Sequence, residues 1–422
     1  LFIEKSLSLL NQNGHFGFII PNSILFNSSY KKIRKLLLEK TNLTKIVRLP
    51  NEVFESAKVE TIILMFKKTE KNKDLTKIVL HENDFRIKQV LSDYNFNLIS
   101  QDLWYDEDYI YRIFSDNESM RLLKKIEKDT KKLIDICDFS LGLTPYDKYK
   151  GHSADQIKKK VFHSSYKEDD TFKKLLKGSD ITRYMLSWGG DSYIRYGPWL
   201  GAPREPKFFT EPRILIRQIV SGKPPRIYST FTSDEYYNTQ IGFNVIMKKG
   251  NPEDLKYILA VLNSKLMSWY HREKFLDKSK TLFQKILIAN AKKFPIKKIE
   301  SEKKQIIISN VNKILALNKK LKDEVDVFYK WLSENDYYKI KLTKKLNSYY
   351  KLSHESFLIE IKKQKINLQY QDEIIDRFDN SLSTIQPLLN EIKEIDKEID
   401  FLIYDIYGLN DNEIEIIHKF LE

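Results

Sequence analysis

Residues 52–66 read EVFESAKVETIILMF. From Val59 to Phe66 the stretch is dense in Val, Ile and other apolar side chains with no Gly or Pro, which predicts a strand. Ahead of it, Val53-Phe54 closes a loop and a small polar stretch follows. That order puts Phe54 at the mouth of the strand, where it either closes the sheet as core or is presented outward. N-terminal to it, Ile46, Val47 and Leu49 predict a second short strand. Tyr30, Ile33 and Leu37 share one face of a helix that Asn27 or Ser28 can cap. GFIIP at 17–21 reads as a buried strand after a turn at Asn11 to Gly14. Ile3, Leu7 and Leu10 mark an opening helix with no capping residue ahead of it, so sequence is expected to precede Leu1. Helix, strand, helix, strand and a late hairpin make an α/β pattern. About 65 residues is short for a complete doubly wound domain, which predicts a truncated one.

The chain has 422 residues, 41% hydrophobic and 13% aromatic, enough to bury substantial cores in two or three domains. A single cysteine, Cys137, excludes a disulfide framework and a Cys-based metal site. No apolar run approaches the roughly 20 residues needed to span a bilayer, and no signal peptide opens the chain. A cytoplasmic protein without a membrane partner is expected.

The formal net charge of +14 has a location. Residues 131–300 hold 32 basic and 18 acidic side chains, whereas 1–130 and 301–422 are close to balance. An excess confined to one block suits a phosphate-facing surface, although lysines used for solubility would look the same. Residues 70–130 read as a charged strand–loop–helix connector. The basic block is rich in Tyr, Pro and Gly, with strand-like runs at Arg213 to Ile219 and Gly242 to Met247 and one helix at 253–269. From Ser301 the pattern is helical, and Leu388, Ile392, Ile395, Ile399, Leu402 and Ile406 form a heptad seam. That seam is expected to pack on the stripe Ile307, Val311, Ile314 and Leu321 within the chain.

Complete catalytic signatures are missing. There is no G-x-x-x-x-G-K-[ST], G-x-G-x-x-G, G-x-S-x-G or H-E-x-x-H. The seven histidines are scattered, so no metal site is expected. Glu360-Ile361-Lys362 has the E-x-K form of some nuclease sites but reads as a solvated helix face.

Taken in order, the segments resemble a known family. GFIIP, a helix containing Arg34, IVRLP at 46–50 and KVETIILMF at 58–66 resemble the C-terminal part of the catalytic domain of N6-adenine DNA methyltransferases of type IIG and IIS restriction–modification enzymes. The basic block continues with LLKGSDITRY at 175–184, YGPWLGAPREPKFF at 196–209, RILIRQI at 213–219, DEYYNTQ at 234–240, VLNSKLMSWY at 261–270 and FPIKKI at 294–299. This series resembles the TaqI-like C-terminal specificity, or target-recognition, domain. IDFLIYDIYGLNDNEIEII at 399–417 resembles the usual end of such proteins.

The resemblance implies an α/β fragment of a Rossmann-like methyltransferase sheet at 1–75 and a connector at 76–130. A mixed α+β target-recognition domain at 131–300 and an α-helical region at 301–422 would follow. It implies that Phe54 stacks on an adenine flipped out of the duplex, since an extruded base needs an aromatic face. The family's glycine-rich loop for S-adenosylmethionine and its Asn/Asp-Pro-Pro-Tyr/Phe loop are not in this sequence. No catalytic residue and no cofactor is therefore expected in this chain alone, with S-adenosylmethionine belonging to the full-length parent.

Double-stranded DNA is the expected partner, alongside an N-terminal methyltransferase or nuclease part. Arg, Gln, Asn and Tyr in loops read bases, while Lys and Arg hold phosphates. The candidates are Arg183, Tyr184, Arg204, Arg217, Gln218, Lys223, Arg226, Tyr236, Tyr237, Asn238, Thr239, Lys278 and Lys280. The competing reading is a non-catalytic interaction protein, like a specificity subunit, acting through its helical tail.

Overall fold

The computed structural model describes residues 2–50, 53–54, 59–69, 75–81, 96–220, 222, 225–276, 285–334, 340, 343, 345–364 and 370–421. The chain divides after Lys125 into two compact units.

The first unit is a five-stranded mixed sheet with helices. Its elements are α1 (Phe2–Leu9), β1 (His15–Pro21), α2 (Lys31–Lys40), β2 (Thr41–Arg48), β3 (Thr61–Lys68), β4 (Leu75–Leu80), β5 (Phe96–Ser100) and α3 (Asn117–Glu127). The strand order is β1-β3-β2-β4-β5. β3 runs antiparallel to both β1 and β2, and β2 runs parallel to β4. Ile62, Leu64 and Phe66 of β3 are fully buried, as its apolar pattern requires.

Two expectations are corrected here. GFIIP is an edge strand, with Phe18 and Ile19 about half exposed and only Ile20 buried. The stretch 76–130 is no connector, because β4 and β5 extend the same sheet and Trp104 and Tyr111 are buried against it. Neither pairing is visible locally, since strand neighbours are chosen by non-local hydrogen bonds. Arg34 locks this unit. It is fully buried and donates to four backbone carbonyls, those of Ile24 (2.9 Å), Asn27 (2.7 Å), Asp108 (2.8 Å) and Tyr109 (2.8 Å). A guanidinium presents five donors in a fixed fork, so one side chain closes both loops.

The second unit contains two four-stranded sheets. One has the order β14 (Ser229–Thr232), β13 (Arg213–Arg217), β16 (Gly242–Met247), β7 (Cys137–Leu141), all antiparallel. The other has the order β15 (Tyr237–Asn238), β9 (Phe172–Leu176), β12 (Tyr193–Arg195), β8 (His163–Ser164). Smaller pairs join β10 (Ile181–Thr182) to β11 (Met185–Leu186), and β6 (Thr130–Lys132) to β17 (Pro295–Lys297). Short helices α4 (Leu133–Ile136), α5 (Ala154–Lys159), α6 (Lys207–Thr210) and α9 (Ile288–Ala291) fill the connections.

The helix expected at 253–269 is two, α7 (Asp254–Asn263) and α8 (Lys265–Phe275), broken at Ser264. Ser264 caps α8 by accepting from the Met267 amide at 3.1 Å. Asn263 then clips the break to β14. Its side chain accepts from the amide (3.1 Å) and hydroxyl (2.7 Å) of Ser229 and donates to the Ser229 carbonyl (3.0 Å). The Asn-Ser pair therefore works as a joint.

The long helices α10 (Ser301–Glu334) and α12 (Gln371–Ile406) pack on each other, with α11 (His354–Lys362) beside them. The seam residues Ile395 and Ile399 are buried as expected, together with Ile403. Phe357 stacks on Phe378 with ring centroids 3.8 Å apart. Glu360 is not on a solvated face; it is buried and paired with Lys345 (3.4 Å) and Lys363 (2.8 Å). The tail closes on the sheet-bearing part of the same unit. Tyr407 donates to the Pro295 carbonyl at 2.7 Å, and α13 (Asp411–Leu421) lies on α8.

Candidate nucleic-acid interface

The second unit opens a cleft of about 410 Å³ where four chain segments meet. It is lined by Leu143, Thr144, Pro145, Gln218, Ile219, Thr239, Gln240, Ile241 and Lys285. Two glycines allow this meeting. A Cβ on Gly142 would lie 1.9 Å from the Thr239 carbonyl oxygen, and one on Gly242 would lie 2.6 Å from that of Ile216. Only glycine lets the backbones approach so closely. Gln218 anchors the floor, its amide donating to Ile241 and its carbonyl accepting from Ile286, each at 2.8 Å.

Cations stand close to the lining residues on three of the four segments. Lys148 and Lys150 come shortly after Pro145, and Lys285 is itself exposed. Half-buried Arg217 precedes Gln218, its guanidinium 5.6 Å from the Tyr228 ring centroid. Thr144 bridges to Ala202, and exposed Arg204 stands two residues further on with φ 63°. The loop bearing Lys148 and Lys150 is fixed by His152, whose Nε2 contacts the Trp199 carbonyl at 2.8 Å while its Nδ1 accepts from the Asp147 amide at 2.8 Å. Ser153 and Gln156 then form a capping box on α5, whose end carries exposed Lys158, Lys159 and Lys160. Sequence reasoning passed over this loop, although the KKK run was its signal.

Of the candidates, Thr239 and Gln218 line the cleft, and Tyr236 is half-buried beside Trp188. Five other candidates turn out to be interior, and their placement in accessible loops is corrected. Arg183 forms a two-pronged ion pair with Asp396 of α12 (2.9 and 2.5 Å) and also donates to the Asn263 carbonyl at 2.9 Å. Burial opposes its charge, but Asp396 more than offsets this, so its pKa is raised. Arg226 donates to the same Asn263 carbonyl at 2.7 Å, and burial lowers its pKa. Tyr184 is buried with φ 57°. Tyr237 stacks on Phe209 at 4.6 Å, and burial raises its phenol above its ordinary value. Asn238 is fully buried, donating to the Gly242 carbonyl and accepting from Asn244. Arg183, Arg226 and Asn238 are polar for a structural reason, since buried polar groups need partners. Lys223, Lys278 and Lys280 lie outside the described residues.

Phe54, in the first unit, is exposed at 42%. That unit has a cleft of about 600 Å³ lined mainly by apolar side chains of α1, β1 and α2. Its two glycines are Gly14, in the turn before β1, and Gly17, within that strand. Among the described residues there is no cluster of three or more metal-ligating side chains, and no helix is long and apolar enough to cross a membrane.

Comparison with known proteins fits this arrangement. N-6 DNA Methylase matches residues 1–127, the TaqI-like C-terminal specificity domain matches 173–296, and a domain of unknown function (DUF8810) matches 299–403. In that order they make this chain similar to type II restriction–modification methyltransferases that carry a target-recognition domain. "Putative type II restriction enzyme and methyltransferase RM.MjaORFECS2P" of Methanocaldococcus jannaschii is 27% identical over 342 residues, covering 79% of this chain and 27% of that protein. "Type II restriction enzyme and methyltransferase RM.Eco57I" of Escherichia coli is 27% identical over 132 residues, 28% of this chain and 13% of that one. This chain thus spans about a quarter or less of these curated relatives. The type IIL restriction–modification enzyme MmeI in complex with DNA is 11% identical with a TM-score of 0.43, over 97% of this chain and 50% of that one.

Proposed function

We propose that this chain recognises a short duplex DNA sequence as the C-terminal half of an adenine-specific (N6) DNA methyltransferase of a type IIG-like restriction–modification enzyme. The observation that carries the reading is the cleft: polar side chains and Lys285 line it, Lys148, Lys150 and Arg217 stand close by on the segments that form it, and Arg204 stands on the segment bridged to Thr144. A duplex needs that combination, with base edges read in the centre and phosphates held at the rim. The DNA-facing set is Arg204, Arg217, Gln218, Thr239, Lys148, Lys150, Lys158, Lys159, Lys160 and Lys285, with Tyr236 beside it. Arg183, Tyr184, Arg226, Tyr237 and Asn238 hold the unit together instead.

Phe54 stacks on the flipped adenine. Its exposure suits that role, because a base-stacking ring must be free before the base arrives. The first unit is the end of a Rossmann-like methyltransferase sheet. S-adenosylmethionine serves the parent protein and would supply the methyl group there. The glycine-rich loop that would hold that cofactor is not in this sequence.

Binding of the full chain to duplex DNA across a salt series tests the reading. A steep log–log fall is expected, about 0.9 per phosphate neutralised. A flat response, or no binding at low salt, removes it. The tail-mediated alternative needs a free seam, whereas Ile395, Ile399 and Ile403 are buried within the unit.

A further inference from the structure

The cleft contains two glutamines on segments that meet, Gln218 beyond β13 and Gln240 between β15 and β16. Gln240 is exposed, and its Nε2 donates to the Thr144 hydroxyl at 3.2 Å. Its amide oxygen and second N–H point are left for a ligand by that single bond. Gln218 is half-buried, and its side-chain amide has no protein partner among the described residues. Its backbone, by contrast, is tied on both sides, so the side chain starts from a fixed point in the cleft. Among the described residues no carboxylate and no guanidinium lines the cleft, and the cation lining it is Lys285.

A carboxamide offers a donor and an acceptor side by side. In the major groove the edge that matches both is adenine, with N7 accepting and the N6 amino group donating. Guanine presents two acceptors there, which a guanidinium or ammonium suits better, and cytosine presents a donor that a carboxylate suits better. We propose that Gln218 and Gln240 read adenine bases in the recognised sequence, with Thr144 positioning the Gln240 amide. This goes beyond DNA recognition to base identity, and it rests on that reading.

The test is selection of bound duplexes from a randomised pool by the full chain, repeated with Gln218→Leu and Gln240→Leu. The wild type is expected to select A·T pairs at two positions. Each Leu variant should lose about ten- to a hundred-fold of the preference at one of them. Thr144→Val should weaken the same position as Gln240→Leu, and by less. If a Leu variant does not fold, Gln218→Glu and Gln240→Glu serve instead, and each should move the preference at its position from adenine toward cytosine. Wild-type binding with no A·T selection, or selection that survives every substitution, overturns the base assignment alone. No wild-type binding at low salt overturns it together with the DNA reading.

Discussion

Arg183 and Asp396 are 213 residues apart in sequence, yet they form a two-pronged ion pair, with each side chain only about a fifth exposed. Arg183 lies just beyond the LLKGSDIT stretch, and Asp396 lies on α12. The pair therefore ties the loop after β10 to the helical tail. The adjacent Asn263 carbonyl accepts from both Arg183 and Arg226, so the joint between α7 and α8 belongs to the same network.

Removing one partner leaves the other half-desolvated. Arg183→Ala is expected to cost about 2 kcal/mol of unfolding free energy, a deep-burial figure reduced for partial solvent screening. Denaturant titration measures it, and a double-mutant cycle with Asp396→Asn should show coupling of about 1 kcal/mol. The salt slope of DNA binding should not change. A slope that falls by about one unit with native stability would restore Arg183 as a phosphate contact.

Asn263→Leu removes three side-chain hydrogen bonds to Ser229 and strands that buried serine. A loss of about 3 kcal/mol is expected in thermal or chemical unfolding. A change within about 0.5 kcal/mol would show that the joint is held elsewhere.

Replacing Lys158, Lys159 and Lys160 together by Ala should lower the DNA salt slope by between about 1 and 3 units, with little change in melting temperature, because all three are exposed. An unchanged slope removes α5 from the interface.

His271 is buried, and burial lowers its pKa from 6.5 to about 4. The imidazole is then neutral in the folded chain, while the unfolded chain takes up a proton below pH 6.5. The unfolded state binds more protons, so this contribution is complete above pH 6.5 and is lost as pH falls toward 4. Its full size is about 3 kcal/mol. His271→Gln should flatten the difference in stability between pH 7 and pH 4.5 relative to wild type. Parallel pH profiles for the two proteins would contradict the burial argument.

Much of the local structure was legible. The β3 strand and the apolar stripes of the long helices follow from periodicity, and the seam packs within the chain as the matching stripes required. The edge position of GFIIP and the inclusion of β4 and β5 in the sheet were not legible, because strand pairing is a contact between distant segments. Among the candidate interface residues, type alone did not sort contact from scaffold. Arg204 and Arg183 look alike in sequence; one is exposed and the other is committed to Asp396.

By itself the sequence determined the order of the segments, the confinement of the positive charge to 131–300 and the absence of a glycine-rich cofactor loop. These are properties of composition and spacing and need no coordinates. Only the tertiary structure decided which polar side chains face solvent. A buried guanidinium must find carboxylates or carbonyls, and those partners come from α12 and from the α7–α8 joint. The cleft likewise exists because Gly142 and Gly242 admit a backbone approach that no local pattern specifies.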